Sequence, residues 1–387
     1  MLILGIESSC DDMAAAVVKD GRFILSSIVS TQDVIHHKYG GIVPELASRR
    51  HLETIIPVVK EALEQAGVTL DDIDAIGVTQ GPGLVGSILI GLSFAKAIAY
   101  VKDIPFVGVN HIQAHPMAVF LEDRVKGQGS RVKGKAENEK VGSYEDKNFL
   151  SSQSPCPLPL APAFPFIALV VSGGHTTLFK FRDFCDCEIL GQTRDDAAGE
   201  AFDKVAKLLG LGYPGGVVID RLAKTGDPSK IEFTRPYISK DSLDFSFSGI
   251  KTAVLNVVRS SESGVRSLKS HIPPPIQAFG GRHPVSHIPI NDLAAGFQEA
   301  VVDVLTEKAV SACRANNVRD LVVSGGVACN SRLREKLMAK AQDNGIRPFL
   351  PDAGFCSDNG AMIAATAYHL LKKGARGGLD MNAMPNL

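Results

Sequence analysis

Two histidines that follow an apolar segment are the residues whose types and spacing most directly suggest chemistry. His111 and His115 lie four positions apart, so on a helix they share one face and their imidazole nitrogens can meet a single metal ion. The apolar run at 105–109 predicts a buried strand, which places His111 just past a strand's carboxyl end, where open α/β sheets hold their ligands. The alternative is a pair of ordinary core or surface histidines.

Two neighbours of these histidines limit what the site can do. An H-E-x-x-H metalloprotease needs a glutamate directly after its first histidine, and Ile112 stands there instead. Pro116 follows His115 and disfavours helical geometry at that histidine, so any helix here is expected to be short or kinked. The hydrolytic base of that enzyme class is therefore missing.

A carboxylate far along the chain is a candidate third ligand. Asp358 precedes a predicted helix that runs to about residue 371, so one interpretation is a helix N-cap. The other is a metal ligand, because two histidines and one carboxylate leave coordination positions open and suit iron(II). Spacing alone leaves both open.

Three glycine turns are candidates for holding a ligand. The six residues Leu-Val-Val-Ser-Gly-Gly occur at 169–174 and again at 321–326, which predicts a duplicated architecture, with two related α/β lobes whose turns face one cleft. Glycines there would let a phosphate or ribose approach the backbone. A third loop, 80–87, opens a predicted helix at 88–100. It either binds an anion at the helix N-terminus or forms a tight turn, and it lacks the G-K-[ST] ending of a P-loop.

Other polar residues have weaker signals. Asp203 could accept hydrogen bonds from ribose hydroxyls, Gly216 could let a sugar approach the main chain, and Asn330 could contact a base or ribose edge; helix-surface and turn roles are the alternatives. A predicted helix at 44–66 carries Arg49, Arg50 and His51, which we interpret as a solvated face, with an RNA or partner contact as the alternative.

Composition favours a soluble α/β protein. The chain has 387 residues, of which 45% are hydrophobic and 21% charged, and its formal net charge is −1, so no global excess of basic residues indicates nucleic-acid binding. Seven cysteines without C-x-x-C spacing argue against a disulfide scaffold or zinc ribbon. The N-terminal residues predict a strand rather than a signal peptide, and no apolar run of about 18 residues predicts a membrane span. We therefore expect a cytoplasmic protein with no membrane attachment.

Composition also predicts the domain organisation. Residues 1–122 form a first lobe, to which the last helix returns, and residues 166–371 form a second lobe. Residues 123–165 and 260–290 are rich in polar residues, glycine or proline and are predicted to be flexible insertions, and 372–387 form a C-terminal tail. His271, His283 and His287 in the second insertion are interpreted as loop residues rather than metal ligands.

Eight motifs, in order and spanning nearly the whole chain outside the insertions, together resemble the tRNA N6-adenosine threonylcarbamoyltransferases of the bacterial TsaD (Gcp) type. They are Glu7-Ser8-Ser9-Cys10-Asp11, Gln80-Gly81-Pro82-Gly83, Asn110-His111 with His115, Val171-Ser172-Gly173-Gly174-His175-Thr176, 195–204, Phe247-Ser248-Gly249-Ile250-Lys251-Thr252, Ser324-Gly325-Gly326-Val327-Ala328 with Asn330, and Ser357-Asp358-Asn359-Gly360-Ala361-Met362.

The resemblance implies an α/β, actin-like (ASKHA) duplicated two-lobed fold with mixed sheets flanked by helices and a central nucleotide cleft. It implies one Fe(2+) per subunit, held by His111, His115 and Asp358. Asp11 is a candidate catalytic residue that orients the metal's surroundings or the attacking amine. The residues it implies for substrate binding are Val170, Val171, Ser172, Gly173, Gly174, Asp203, Gly216, Asp220 and Asn330.

The implied reaction transfers the threonylcarbamoyl group from threonylcarbamoyl-AMP to N6 of adenosine 37 in tRNAs that read codons starting with A, and releases AMP. The implied partners are tRNA, a TsaB-like paralogue and a TsaE-like ATPase. The chain departs from the family at Asp12-Met13, where Glu-Thr is usual, and at Pro116. An actin-like ATPase or small-molecule kinase is the alternative, although kinases of that fold use magnesium and carboxylates rather than histidines.

Overall fold

The computed structural model describes residues 1–123, 161–235, 242–263 and 289–387, and these contain two sheets. The first has six strands in the order β5-β4-β1-β2-β3-β6 and the second has five in the order β11-β10-β7-β8-β9. In chain order the strands are β1 (Leu2–Glu7), β2 (Met13–Lys19), β3 (Phe23–Ser30), β4 (Ala75–Gly81), β5 (Phe106–Asn110), β6 (Glu122–Asp123), β7 (Phe166–Val171), β8 (Thr176–Asp183), β9 (Asp186–Gln192), β10 (Asp320–Ser324) and β11 (Arg347–Phe349).

The two sheets repeat one topology. In the first, β1, β2 and β3 form antiparallel pairs, while β4 runs parallel to β1 and β5 parallel to β4. In the second, β7, β8 and β9 form the antiparallel pairs, β10 runs parallel to β7 and β11 parallel to β10. The predicted duplication is therefore present, with β1 equivalent to β7 and β4 equivalent to β10.

The repeated sequence does not mark the two halves of this duplication. Both copies lie in the second sheet, on the paired strands β7 and β10, with Ser324 opposite Val170. The strands β7 and β10 are parallel neighbours, and both lead into a Ser-Gly-Gly turn at the same edge of one sheet. The repeated sequence therefore reflects two similar strands within a single lobe. The placement of one glycine turn in each lobe, which the repeat suggested, is wrong.

Eleven α-helices flank the sheets in the described part of the chain. They are α1 (Asp33–His37), α2 (Pro44–Ala66), α3 (Val85–Lys102), α4 (His111–Ala114), α5 (Ala198–Leu208), α6 (Gly215–Ala223), α7 (Ser248–Ser263), α8 (Ile290–Ala315), α9 (Ser331–Asp343), α10 (Ala353–Cys356) and α11 (Gly360–Lys372). The bounds of α2 are those that the sequence predicts. Pro44 occupies the first turn, where no backbone donor is needed, and Gly67 ends the helix at a left-handed φ of 68°.

The helix α11 packs on the first sheet although it follows the second one in the chain. A Cβ added at Gly5 of β1 would overlap the Gly360 carbonyl oxygen, and one at Gly77 of β4 would overlap the Ala367 side chain. Glycine at both positions lets the helix lie directly on the strands. This close approach brings the segment before α11, with Asp358, to the edge of the first sheet.

The helix α3 is the one helix in the described ranges that is long and apolar enough, by length and composition, to cross a membrane. It packs Leu92, Ala95 and Ala99 into the core beside the first sheet, and core helices of soluble proteins pass the same test. It is therefore weak evidence for a membrane span.

The predicted insertions fall mainly on residues 124–160 and 264–288, which lie outside the described residues together with 236–241. The three histidines of the second insertion lie there too. The domain boundaries remain predictions.

Candidate metal centre and nucleotide cleft

Three parallel strands of the first sheet end at the same edge and place polar side chains there. They are the neighbours β5, β4 and β1. His111 follows β5, Thr79 lies near the end of β4, and Glu7 is the last residue of β1. The site therefore lies at the carboxyl edge of the sheet, as expected for an open α/β sheet.

Two histidines and one carboxylate converge above this edge. The Nε2 atoms of His111 and His115 are 3.3 Å apart, and Asp358 Oδ1 lies 3.5 Å from the first and 3.3 Å from the second. The three candidate ligand atoms all lie within 4.8 Å of one another. Both imidazoles are buried, and the carboxylate remains partly exposed. This group could hold one metal ion.

The local backbone around the histidines is a short α-helix, as Pro116 predicts, although His115 itself keeps helical torsions (φ −52°, ψ −46°), so the expected loss of helical geometry at that residue is wrong. Asn110 caps α4, because its Oδ1 accepts hydrogen bonds from the backbone N–H groups of Ile112 and Gln113 at 3.0 and 3.1 Å. The α-helix ends at Ala114, and a 3-10 helix (His115–Phe120) continues from it. One capped turn therefore suffices to bring both imidazoles to one point.

Asp358 is not the helix cap that its position suggested. Asn359 caps α11 instead, with its Oδ1 accepting from the Met362 backbone N–H at 2.9 Å. The neighbouring Asp358 carboxylate is therefore free of capping and faces the histidines. Of the two interpretations that spacing left open, the N-cap is wrong.

The charges in the metal-free cluster stabilise one another. Burial disfavours the imidazolium of His111, but the carboxylates of Glu7 and Asp358 outweigh burial and raise its pKa to about 9. Burial also disfavours the charged form of Asp358, and the neighbouring His111 and His115 more than compensate, so its pKa lies well below the ordinary value. A metal ion that binds here must displace the proton of His111, because only the neutral ring can ligate it.

Glu7 supports His111 from beneath, a role that the motifs did not indicate. Its side chain is fully buried, and its Oε2 lies 2.9 Å from His111 Nδ1. The two residues are 104 positions apart, so no local pattern links them.

His51 is buried, and its interpretation as part of a solvated face is wrong. Its Nε2 donates to the Cys10 carbonyl oxygen at 3.0 Å, which leaves Nδ1 to accept from Gln32 Nε2 at 3.3 Å. Burial lowers its pKa, so the ring stays neutral and braces the turn that carries Asp11. Arg49 and Arg50 are exposed, as expected, and form ion pairs along their own helix.

The turn Ser172-Gly173-Gly174 after β7 is open. A Cβ added at Gly173 or at Gly174 would find no heavy atom within 4 Å among the described residues. The Ser172 hydroxyl accepts from the His175 backbone N–H at 3.2 Å and shapes the turn. Val170 and Val171 precede it and are fully buried, main chain included, so the exposed part of the turn is Gly173 and Gly174.

The sequence-predicted residues Asp203 and Gly216 meet at the start of α6. Asp203 Oδ1 accepts from the Gly215 backbone N–H at 2.7 Å, while a Cβ at Gly216 would meet only Phe202 Cβ at 4.0 Å. Burial is the main cause that raises the pKa of Asp203 to about 6, and the charge of Asp11 adds to it. Because the charge of Asp11 raises the pKa of Asp203, the two carboxyl groups must lie near each other. The two lobes therefore face each other at this point.

Asp220 and Asn330 also lie together, but their polar atoms have partners within the protein. The Asp220 carboxylate accepts from the Ser331 hydroxyl at 2.8 Å. Asn330 accepts from the Leu333 N–H at 3.0 Å and donates to Gln298 Oε1 at 2.7 Å. These bonds hold the start of α9 against α6 and α8.

The turn after β1 places two adjacent carboxyl groups in the cleft. Burial raises the pKa of Asp11, and the backbone only partly offsets this. Burial and then the charge of Asp11 raise the pKa of Asp12 to about 8, so at neutral pH Asp12 is mostly protonated. The unusual Asp12 therefore adds little negative charge, and the neighbouring Met13 is a buried core residue.

The loop at 80–83 is closed by the C-terminal tail. The Gly83 backbone N–H donates to the Pro385 carbonyl oxygen at 3.1 Å, and the Leu84 N–H donates to the Ser9 carbonyl oxygen at 2.7 Å. The Met384 N–H also donates to the Gln80 carbonyl oxygen at 2.8 Å. The N–H groups of Gly83 and Leu84 are thus occupied within the protein, which favours the tight-turn alternative for this part of the loop.

Comparisons with known proteins identify the family. The family model for TsaD, tRNA N6-adenosine threonylcarbamoyltransferase, matches residues 23–128 and 155–365. The tRNA N6-adenosine threonylcarbamoyltransferase of Syntrophus aciditrophicus is 48% identical over 384 residues, covering 99% of this chain and 96% of the relative. The enzyme of that name from Geotalea uraniireducens is 47% identical over 385 residues, covering 100% of this chain and 96% of the relative.

A solved structure agrees on the fold. HypF of T. kodakarensis has a TM-score of 0.56 and 15% sequence identity, and the match covers 96% of this chain and 48% of that one. With two mixed, helix-flanked sheets of one topology, this chain has the expected actin-like two-lobed fold. By the family model and by near-half identity along the full length of its relatives, the chain belongs to the tRNA N6-adenosine threonylcarbamoyltransferase family.

Proposed function

We propose that this protein transfers the threonylcarbamoyl group of threonylcarbamoyl-AMP to N6 of adenosine 37 in tRNAs that read codons starting with A, releasing AMP. Family membership supports the reaction. The observation that carries it in the structure is the convergence of His111, His115 and Asp358 at the carboxyl edge of the first sheet. A kinase of the same fold has no evident use for two converging imidazoles, since its magnesium prefers oxygen ligands.

The cluster suits a divalent transition metal, which we take to be one Fe(2+) per subunit. Imidazole nitrogens and a carboxylate are ligands that iron(II) accepts, and three protein ligands leave positions for a substrate. When bound, the ion supplies Lewis acidity toward the carbamoyl carbonyl. The buried histidines, already converged, would need little rearrangement to hold it.

The chain's own groups would bind and orient the two substrates. The phosphate of the adenylate would lie against the turn at 170–174. Gly173 and Gly174 are exposed, and their N–H groups would donate to the phosphate, while Val170, Val171 and Ser172 would hold the turn in place. The nucleoside would lie toward Asp203, Gly216, Asp220 and Asn330. Because Asp220 and Asn330 already bond within the protein, we expect them to shape this wall, and we expect Asp203 to be the hydrogen-bond acceptor for the ribose.

The transfer itself forms one bond and breaks another. The N6 amine attacks the carbamoyl carbon, the bond from that carbon to the phosphate oxygen breaks, and the amine loses a proton as AMP leaves. Asp11, on the turn braced by His51, would orient the amine and accept a hydrogen bond from it. The protein would act in the cytoplasm with a TsaB-like paralogue and a TsaE-like ATPase.

The test is a transfer assay with nucleoside analysis. The purified protein and these partners are incubated with Fe(2+), unmodified tRNA and threonylcarbamoyl-AMP, and the nucleosides are separated and weighed by mass spectrometry. Threonylcarbamoyladenosine should appear with the wild type and be absent with His111→Ala, His115→Ala. His369→Ala is the matched control, because this histidine lies nine residues along α11 from Gly360, about 13 Å away.

Loss of product in the double variant but not in the control would support transfer through the cluster. Product from the double variant at the wild-type rate would remove the metal site from the mechanism. If the wild type gives no product while a relative does under the same conditions, the proposed reaction is wrong.

A further inference from the structure

The strongest unassigned group beside the cluster is the Glu7 carboxylate. It has no exposed surface, and it accepts three hydrogen bonds from three separate segments. Its Oε1 accepts from the Ser9 backbone N–H at 2.6 Å, and its Oε2 accepts from Thr79 Oγ1 at 2.6 Å and lies 2.9 Å from His111 Nδ1. A buried carboxylate with this many donors is held in one orientation.

The two ring nitrogens of His111 have different partners: Nδ1 faces Glu7 and Nε2 faces the other candidate metal ligands. Nδ1 faces Glu7, which can only accept a hydrogen bond when it is ionised, so Nδ1 carries a proton. Nε2 faces His115 and Asp358. In the neutral ring the proton on Nδ1 leaves the Nε2 lone pair directed into the cluster, which is the state that a metal ligand requires.

We propose that Glu7 is a positioning residue that fixes the tautomer and the ring orientation of His111 for metal binding. This inference rests on the metal site of the proposed function and adds an element that the two histidines and Asp358 do not contain. Glu7 itself does not touch the metal or the substrates. It acts through His111 by holding the ring and by raising its basicity.

No carboxylate among the described residues bonds to the Nδ1 atom of His115 as Glu7 does to that of His111. Glu7 is therefore the one described group that fixes a tautomer in this pair of histidines. The Nδ1 atom of His115 is buried without a hydrogen-bond partner among the described residues. On the Nδ1 side only packing therefore orients His115, whereas a charged hydrogen bond orients His111. Removing the Glu7 charge should leave the cluster with two ligands whose tautomers are both unspecified.

Glutamine cannot replace Glu7 without a conflict. An amide has one accepting oxygen and one donating nitrogen, whereas both Glu7 oxygens accept here. If the amide nitrogen faces His111, it donates to Nδ1 and moves the ring proton to Nε2, where it blocks the metal. If it faces Ser9, two donors meet in a buried site.

The test measures metal affinity directly. Metal-free wild type, Glu7→Gln and Thr79→Val are titrated with Co(2+), whose visible absorption bands report coordination without any turnover. Glu7→Gln should bind about ten- to hundredfold more weakly than the wild type. Thr79→Val is the matched control, since it removes another donor from the same Oε2 but leaves the bond to His111, and its affinity should change less than threefold, which is roughly 0.65 kcal/mol.

A second measurement reports the tautomer. In the zinc-loaded protein, long-range proton–nitrogen NMR of the imidazoles should show His111 protonated at Nδ1 in the wild type and in Thr79→Val. Glu7→Asp keeps the buried charge but is one methylene shorter and no longer reaches Nδ1, so the Nδ1–H should exchange faster with solvent and the protein should bind Co(2+) more weakly. Glu7→Asp serves as the test variant if Glu7→Gln does not fold by circular dichroism.

The outcomes separate this inference from the proposed function. Wild-type affinity in folded Glu7→Gln or Glu7→Asp would overturn the role of Glu7 while leaving the metal site intact. Equal losses in Thr79→Val and the Glu7 variants would show a general packing effect and also overturn it. If the wild type shows no cobalt bands, the metal site itself fails, and this role of Glu7 fails with it.

Discussion

Two glycine-containing turns, 80–83 and 172–174, have opposite surroundings among the described residues. At Gln80-Gly81-Pro82-Gly83 the space beside each glycine is filled by the chain itself, since a Cβ at Gly81 would overlap the Met384 carbonyl oxygen and one at Gly83 the Ser9 carbonyl oxygen. At Ser172-Gly173-Gly174 the space beside both glycines is open. A glycine-rich turn shows that something approaches the backbone closely, but not whether that is a ligand or another segment.

The two turns also differ in how they serve the site. The closed turn ties the C-terminal tail to β4 and, through Ser9, to the turn that carries Asp11. The open turn lies at the cleft and keeps its backbone exposed. The closed turn therefore serves stability, and the open one is available for substrate.

The largest expected loss of stability comes from a substitution in the closed turn at 80–83. Gly81→Ala places a Cβ on the Met384 carbonyl oxygen and forces an alanine to a φ of 157°, so we expect the free energy of unfolding to fall by about 3 kcal/mol. Urea unfolding followed by circular dichroism measures it.

Gly173→Ala is the matched control for that change. Its Cβ meets open space, so the free energy of unfolding should stay within about 0.5 kcal/mol of the wild type. In the transfer assay its kcat/KM should fall about tenfold, because the new methyl group occupies the space beside the backbone donors, at a cost of about 1.4 kcal/mol. The contrast fails if the two substitutions destabilise the protein equally.

Removing the tail tests what fills the closed turn. Deletion of residues 376–387 removes the backbone bonds between the tail and the loop, and it should lower the free energy of unfolding by about 2 kcal/mol. In the deleted chain Gly81→Ala should cost clearly less, because Met384 is gone and only the φ penalty remains. Met384→Ala keeps the tail backbone and loses a half-exposed side chain, so it should have little effect. Additive losses from the deletion and Gly81→Ala would show that the tail is not what excludes the Cβ.

The smallest expected effect concerns the cleft beside the open turn. The pKa of Asp203 is raised to about 6 from an ordinary 3.8, mainly by burial, so the unfolded chain releases this proton first as pH rises. The Asp203 carboxyl therefore lowers the free energy of unfolding increasingly as pH rises from about 4 to about 6. Below pH 4 it has no such effect. After discounting for partial solvent exposure, Asp203→Asn should stabilise the protein by about 1 kcal/mol at pH 7.5 and by nothing at pH 3.5.

The measurement for Asp203→Asn is thermal or urea unfolding across that pH range. Glu200→Gln, a nearby and more exposed carboxyl on the same helix, is the control and should show no such pH-dependent gain. A gain for Asp203→Asn that is equal at pH 3.5 and 7.5 would show that charge is not its cause. Activity should fall in this variant if Asp203 holds the ribose.

Much of the fold could be predicted because it depends on local patterns. The bounds of α2 follow from the apolar period, from Pro44 and from Gly67, and the shortness of α4 follows from Pro116. The residues of the metal cluster were also named in advance, and the structure brings them together. The repeat at 169–174 and 321–326 was real but belonged to adjacent strands of one sheet, since identical residues do not reveal which strands are neighbours.

The site's surroundings could not be predicted in the same way. His51 looked solvated because two exposed arginines precede it, yet it lies on the inner face of α2 and bonds to the turn after β1. Spacing leaves the role of Asp358 open between helix cap and metal ligand, and only the structure shows that Asn359 caps α11 instead. His51 differs from Arg50 because adjacent residues on a helix point about 100° apart. Asp358 lies before α11, outside the helix, so its neighbour Asn359 can cap the helix while its own carboxylate faces the histidines.

The sequence by itself determined the helices and strands, the turn positions, the family and the types of side chain available for a metal site. Only the tertiary structure decided that Glu7 lies under His111 and that the tail closes the loop at 80–83, contacts that span 104 and about 300 residues. The physical reason is that helix and strand propensity, capping and turn geometry depend on near neighbours along the chain. Which distant groups fill a buried space depends on strand order, register and close packing, which no local segment encodes.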